Sequence, residues 1–185
     1  MTDEQIVAGC VKGDPIAQRA LYEQYARKMM SVCMRYASGR DQAQDMLQDG
    51  FVKVFQKIGD FRGDGPLGGW LSRNMVNTAL DHLRRNKPYA HSVDLTEAEH
   101  LHAGSSSALS GMTTDELMAL IQQLPDGYRT VFNLFAIEGY PHKEIAEMLG
   151  VSENTSKSQF MKARAYLRKL LPQEVVEHYP NGREG

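Results

Sequence analysis

The sequence predicts an all-α protein: two small helical domains joined by a flexible linker, the C-terminal one a helix-turn-helix. Apolar residues recur at three- and four-residue spacing from Asp14 to Asn86 and again from Thr113 to Leu171, and strand-type alternation is absent. Between those stretches, Pro88 to Met112 holds a GSSSALSG run and little apolar periodicity, which is linker composition. Pro141 to Leu171 reads as two short helices joined at Gly150. The expected layout is a first domain over 5–88, a linker over 89–112, a second domain over 113–172 and a frayed polar tail over 173–185.

Each element has a local reason. Asp14-Pro15 supplies a cap and a preset first helical residue, so a helix is expected from Asp14 to about Ala37. Its inward stripe is Leu21, Tyr25, Met29, Val32, Cys33 and Tyr36. A second helix is expected from about Asp41 to Ile58, burying Leu47, Phe51, Val54, Phe55 and Ile58. The stretch FRGDGPLGG, residues 61–69, has too much Gly and Pro to be helical. A third helix then runs from about Trp70 to Asn86, with Trp70, Leu71, Val76, Leu80 and Leu83 inward. In the second domain, TTDE at Thr113 resembles a capping box, opening a helix with Leu117, Leu120, Ile121 and Leu124 inward. Pro125 starts another helix, with Val131, Phe132, Phe135 and Ile137 as core residues. Gly150 suits a sharp helix exit, and Ser152 suits the cap of the last helix.

Composition excludes several classes. The chain has 185 residues and 42% apolar content, enough for real cores. Cys10 and Cys33 lie in helical text without metal-ligand spacing and read as reduced thiols. The start MTDEQIVAGC has no basic region before an apolar run, and no run approaches the ~18–20 residues that cross a bilayer. A cytoplasmic protein without membrane insertion is expected. His91, His100 and His102 sit in linker text without fixed geometry, and no nucleophile–base pairing is visible. Neither an enzyme nor a metal or cofactor site is expected.

The net charge of −2 argues against a general nucleic-acid coat, but its distribution is uneven. Between Ser152 and Leu171, Lys157, Lys162, Arg164, Arg168 and Lys169 face only Glu153. Between Ser72 and Lys87, Arg73, Arg84, Arg85 and Lys87 face only Asp81. Two basic helices in a slightly acidic chain suggest two local DNA contacts, and the helix-turn-helix suits a major groove.

Asp41, Asp45 and Asp49 stand four residues apart and share one helix face. Like charges so spaced repel by about 0.2–0.5 kcal/mol per pair, so the row points to a basic partner surface. Asn77, Asp81 and Arg84 share a face of the third helix. Asn amides hydrogen-bond base edges, and Arg grips phosphate. A Gly-rich loop beside such a helix is suited to hold a base drawn out of the duplex.

Three fragments in order, DQAQDMLQDGFVKVFQKIGDF (41–61), GWLSRNMVNTALDHLRRNK (69–87) and EIAEMLGVSENTSKSQFMKARAYL (144–167), resemble a bacterial sigma factor. The match is to the extracytoplasmic-function (ECF) group of the sigma-70 superfamily. The resemblance implies that Asp45, Leu47, Gln48, Asp49 and Phe51 dock on the clamp coiled coil of core RNA polymerase. It implies that the loop Arg62–Gly68, with Asp64 and Leu67, captures a flipped base of the −10 promoter element. Asn77, Asp81, Arg84 and Arg85 would face that element. Lys157, Ser158, Met161 and Lys162 would read the −35 element, with Thr155, Arg164 and Lys143 on phosphates. Pro88–Met112 would thread the polymerase's RNA exit path, and an anti-sigma factor would restrain the protein.

Some positions depart from the family pattern. Asn74 replaces the usual Ile, so its amide must find a partner or face outward. Leu67 replaces an aromatic, Pro66, Gly68 and Gly69 make the loop unusual, and Pro141 stands where Ser often caps. The competing reading is a free-standing helix-turn-helix regulator, which uses 113–171 and leaves the aspartate row without a role.

Overall fold

The computed structural model describes residues 1–86 and 113–171; the expected linker, the tail, Lys87 and the three linker histidines lie outside the described residues. The described residues form helices and connecting turns without a strand, and they fall into two compact units, one within Met1–Pro88 and one within Tyr89–Gly185.

The first unit holds α1 (Asp3–Val11), α2 (Pro15–Tyr36), α3 (Arg40–Lys57), a 3₁₀ turn (Ile58–Asp60) and α4 (Leu67–Asn86). Helices α2, α3 and α4 pack on one another, and α1 lies against α2 and the 3₁₀ turn. Leu21, Met29, Met46, Val54, Leu71 and Met75 fill the centre. Asp14 Oδ1 accepts the Ile16 N–H at 2.9 Å and Pro15 opens α2, as the Asp-Pro pair predicts.

Helix α1 is an addition: Cys10 was expected in helical text, but no helix was delimited before Asp14. Thr2 Oγ1 accepts the Gln5 N–H at 3.3 Å, and Gln5 Oε1 accepts the Thr2 N–H at 2.9 Å. This reciprocal cap starts the helix. Ile6 and Cys10, four residues apart, are buried against the unit. Burying Ile6 alone stabilises the docked helix by about 1.5–3 kcal/mol. Tyr25 adds a polar tie, since its hydroxyl hydrogen-bonds the Asp3 carboxylate at 2.8 Å.

The start of α4 is a correction: the helix begins at Leu67, inside the Gly-rich stretch. Leu67 is 2% exposed, and this burial offsets the poor helix propensity of Gly68 and Gly69.

The second unit holds α5 (Thr114–Gln123), α6 (Asp126–Phe132) with a π-helical turn (Asn133–Ile137), α7 (His142–Leu149) and α8 (Glu153–Leu170). The expected capping box is present: Thr113 Oγ1 accepts the Glu116 N–H at 3.3 Å, and Glu116 Oε2 accepts the Thr113 N–H at 2.8 Å. Those bonds hold the Glu116 carboxyl below its usual pKa. Ile121, Leu124, Phe132, Ala163 and Leu167 form a core on which Leu117, Leu120 and Phe160 pack.

Phe135 and Ile137 were expected in that core but are 36% and 39% exposed. The Glu138 N–H reaches back five residues to the Asn133 carbonyl at 2.9 Å, so the helix widens and the two side chains rotate outward. Gly150 ends α7 at φ +67°, a left-handed conformation that a side chain disfavours. Ser152 Oγ then accepts the Thr155 N–H at 3.0 Å and starts α8. Pro141 caps α7 without a side-chain hydrogen bond.

Candidate nucleic-acid interface

Where the 3₁₀ turn meets α4, a cleft of about 390 Å³ opens, lined by Phe61, Arg62, Asp64, Pro66, Trp70 and Arg73, among others. Phe61 and Trp70 make its aromatic wall, with ring centroids 5.7 Å apart in an edge-on arrangement at 60°. An aromatic wall flanked by guanidinium groups suits a flat ring joined to a phosphate. Of the expected loop residues, Arg62 and Asp64 line this cleft, and Leu67 does not. Leu67 is a core side chain that anchors the helix start and presents nothing to a ligand. Phe61 and Trp70 are not among the expected site residues, and Arg73 is expected only as part of a basic helix. The available signal was their position at either side of a Gly-rich turn.

Along α4, Asn77, Arg84 and Arg85 are exposed. Asn74 resolves its earlier ambiguity by donating from Nδ2 to the Trp70 carbonyl at 2.9 Å. Asp81 is engaged within the protein: Lys53 Nζ of α3 lies 2.7 Å from Oδ2, and Arg84 Nη1 lies 2.9 Å from Oδ1. Burial alone would raise the Asp81 pKa, but the Lys53 hydrogen bond and charge, with Arg84 and Arg85, pull it below the usual value. Direct DNA contact by this paired anion is not the role its geometry favours.

On α3, Asp41, Asp45 and Gln48 are exposed, whereas Leu47 and Phe51 are 7% and 3% exposed and belong to the core. Their expected surface contact is corrected to support of the helix from beneath. The aspartate row, expected to point to a basic partner surface, also serves the fold itself. Asp49 Oδ2 lies 2.7 Å from His82 Nε2 of α4, so one of the three acids has a partner inside the protein.

On α8, Ser158 and Met161 are exposed, and Lys162 is half-buried. Lys157 is exposed too, but its Nζ sits 2.7 Å from Glu153 Oε1 one turn earlier. The Thr155 hydroxyl lies 2.8 Å from Ser152 Oγ and so joins the helix cap. Arg164 lies with its guanidinium carbon 5.9 Å from the centre of the Phe160 ring. Beneath this face, His142 stacks on Phe135 at 4.2 Å and 10°, and its Nδ1 is 2.9 Å from Ser156 Oγ. His142 has a lowered pKa because it is partly desolvated and lies near Lys157.

The first unit matches the family described as sigma-70 region 2 over residues 21–89, and the second matches sigma-70 region 4 over residues 114–167. RNA polymerase sigma-H factor of Pseudomonas aeruginosa is 32% identical over 180 residues, covering 91% of this chain and 93% of that protein. The ECF RNA polymerase sigma-E factor of Escherichia coli is 31% identical over 175 residues, covering 89% and 91%. The chain belongs to the ECF group of the sigma-70 family.

The solved sigma factor RpoE of Bartonella quintana, in complex with the anti-sigma factor NepR, superposes at a TM-score of 0.49 and 19% identity over 86% of this chain and 96% of that one. As a member of the sigma-70 family, the present chain is an initiation subunit that binds core RNA polymerase and directs it to promoters, and it is not an enzyme. Membership accounts for both units together, which the free-standing regulator does not. Helix α1 lies before the region 2 match and is tied to it through Asp3 and Tyr25. No helix among the described residues is long and apolar enough to cross a membrane.

Proposed function

We propose that the cleft between Phe61 and Arg73 receives an unstacked base of the −10 element, and this cleft is the observation that carries the reading. The Phe61–Trp70 wall offers stacking worth about 1–3 kcal/mol per base, which offsets part of the cost of unpairing. Asn77, Arg84 and Arg85 follow the strand along α4. The exposed Asp41, Asp45 and Gln48 of α3 meet a basic surface of core polymerase, with Leu47 and Phe51 holding that helix in shape. Lys157, Ser158, Met161 and Lys162 of α8 enter the major groove of the −35 element, and Arg164 with Lys143 takes phosphate. Thr155 contributes through the α8 cap.

Residues 89–112 serve as the connection between regions 2 and 4, with domain limits at 5–88 and 113–172 and a tail over 173–185. The protein acts in the cytoplasm, where its polymerase is, and an anti-sigma factor is the partner that group membership brings.

The test uses holoenzyme reconstituted with core polymerase on a promoter mapped from this factor's own transcription starts. Trp70→Ala is expected to lower promoter opening at least tenfold, read by 2-aminopurine fluorescence in the −10 element, with core binding unchanged. Opening at the wild-type rate would refute the cleft assignment.

A further inference from the structure

Between α3 and α4 runs a two-step charge seam. Asp49 and Lys53 stand four residues apart on α3; His82 and Asp81 stand side by side on α4. The pairs formed are Asp49–His82 and Lys53–Asp81, each at 2.7 Å. A slip of one turn between the helices would bring Asp49 toward Asp81, two carboxylates, so the seam opposes that register.

Asp81 also holds Arg84 at 2.9 Å through its other oxygen. Lys53 keeps 31% of its side-chain surface exposed and Arg84 keeps 51%, so the lysine lies between the helices while the arginine faces outward. Alone, Asp81 would be a negative charge on the helix that follows DNA. With Lys53 on one oxygen and Arg84 on the other, its charge is spent within the protein and it becomes a bracket.

We propose that Lys53 is a positioning residue for promoter opening: it neutralises and fixes Asp81, which in turn presents Arg84 to the DNA backbone. The proposal rests on the assignment of α4 to the −10 element. It ties the helix that docks on polymerase to the one that meets DNA, because Lys53 belongs to α3 and its target to α4. The lowered pKa of Asp81 agrees with a carboxylate that stays ionised in this bracket.

The test is a double-mutant cycle in reconstituted holoenzyme, read as the rate of promoter opening across salt concentrations. Lys53→Met is expected to slow opening about tenfold in the native background, and less than twofold when Asp81→Asn is also present. Lys53→Arg, which keeps the charge, is expected to stay within twofold of wild type. Affinity for core polymerase, measured by competition, should be unchanged in all three.

An equal cost of Lys53→Met in both backgrounds would mean that the lysine touches DNA directly and would overturn the proposal. So would a parallel loss of core affinity, or no cost at all. Arg84→Gln separates the two layers. If it opens promoters normally, Arg84 has no DNA role and this proposal fails, while the −10 assignment stands or falls with Trp70→Ala; if it slows opening while Lys53→Met does not, only the Lys53 role fails.

Discussion

Gly50 of α3 faces Met75 of α4 with no space for a β-carbon between them, since one built at Gly50 overlaps Met75 Sδ. Met75 is fully buried, so its thioether end can make room only by repacking among core side chains. Gly50→Val is therefore expected to destabilise the first unit by about 1–3 kcal/mol through overpacking, despite a better helix propensity. Urea denaturation of the purified protein checks this, and unchanged stability would mean the helices separate freely. Combining it with Met75→Ala should recover part of the loss.

The second unit depends on its cap. Ser152 Oγ holds the Thr155 N–H at 3.0 Å, and Gly150 leaves α7 just before it. Ser152→Ala should cost about 1 kcal/mol of stability in this unit. Thermal melting is the readout, with Ser152→Asp expected to retain most of the wild-type value.

Lys157 is held by Glu153 on the same face that is proposed to enter the groove. Glu153→Gln frees the lysine and removes an anion from the DNA side. Affinity for a −35 duplex at low salt should rise severalfold, and the slope of log K against log salt should steepen by up to about one ion. Fluorescence anisotropy over a salt series measures both. Weaker binding in the variant would show that Lys157 needs its restraint.

His142 gives the second unit a pH dependence with a definite sign. Desolvation, and then Lys157, lower its pKa from 6.5, Glu153 opposing in part. The unfolded chain therefore takes up this proton at a higher pH than the folded one. The corresponding stability is complete above about pH 6.5 and is lost as pH falls through the lower folded value. Denaturation midpoints between pH 8 and 5 should drop across that window, and His142→Gln should flatten the drop. A midpoint that rises on acidification would reverse the assignment.

Periodicity and capping made most of the fold legible. Asp14-Pro15, Thr113 with Glu116, and Ser152 each start a helix by the mechanism their chemistry suggests. Helix α1 is legible only as helical text around Cys10, because its apolar stripe is short, although Thr2 and Gln5 carry the start signal. Leu67 was misread because Gly and Pro around it mask a helix start that burial enforces. The site was legible as a region rather than as a set of contacts. Local spacing identified a basic face with Asn77 and Arg84, but the Lys53–Asp81 and Asp49–His82 partnerships join residues 28 and 33 positions apart, and no periodicity within one helix reveals them.

The π-helical turn at Asn133–Ile137 holds one residue more than an α-helical turn would need. Any residue-by-residue comparison that runs through it in strict helical phase will be displaced by one position on its far side. Phe135 and Ile137, within the turn itself, show the local rotation, standing 36% and 39% exposed where they were expected in the core. A single-residue deletion in this turn would thus act as a rotation, redrawing which side chains this unit displays while leaving its composition nearly intact.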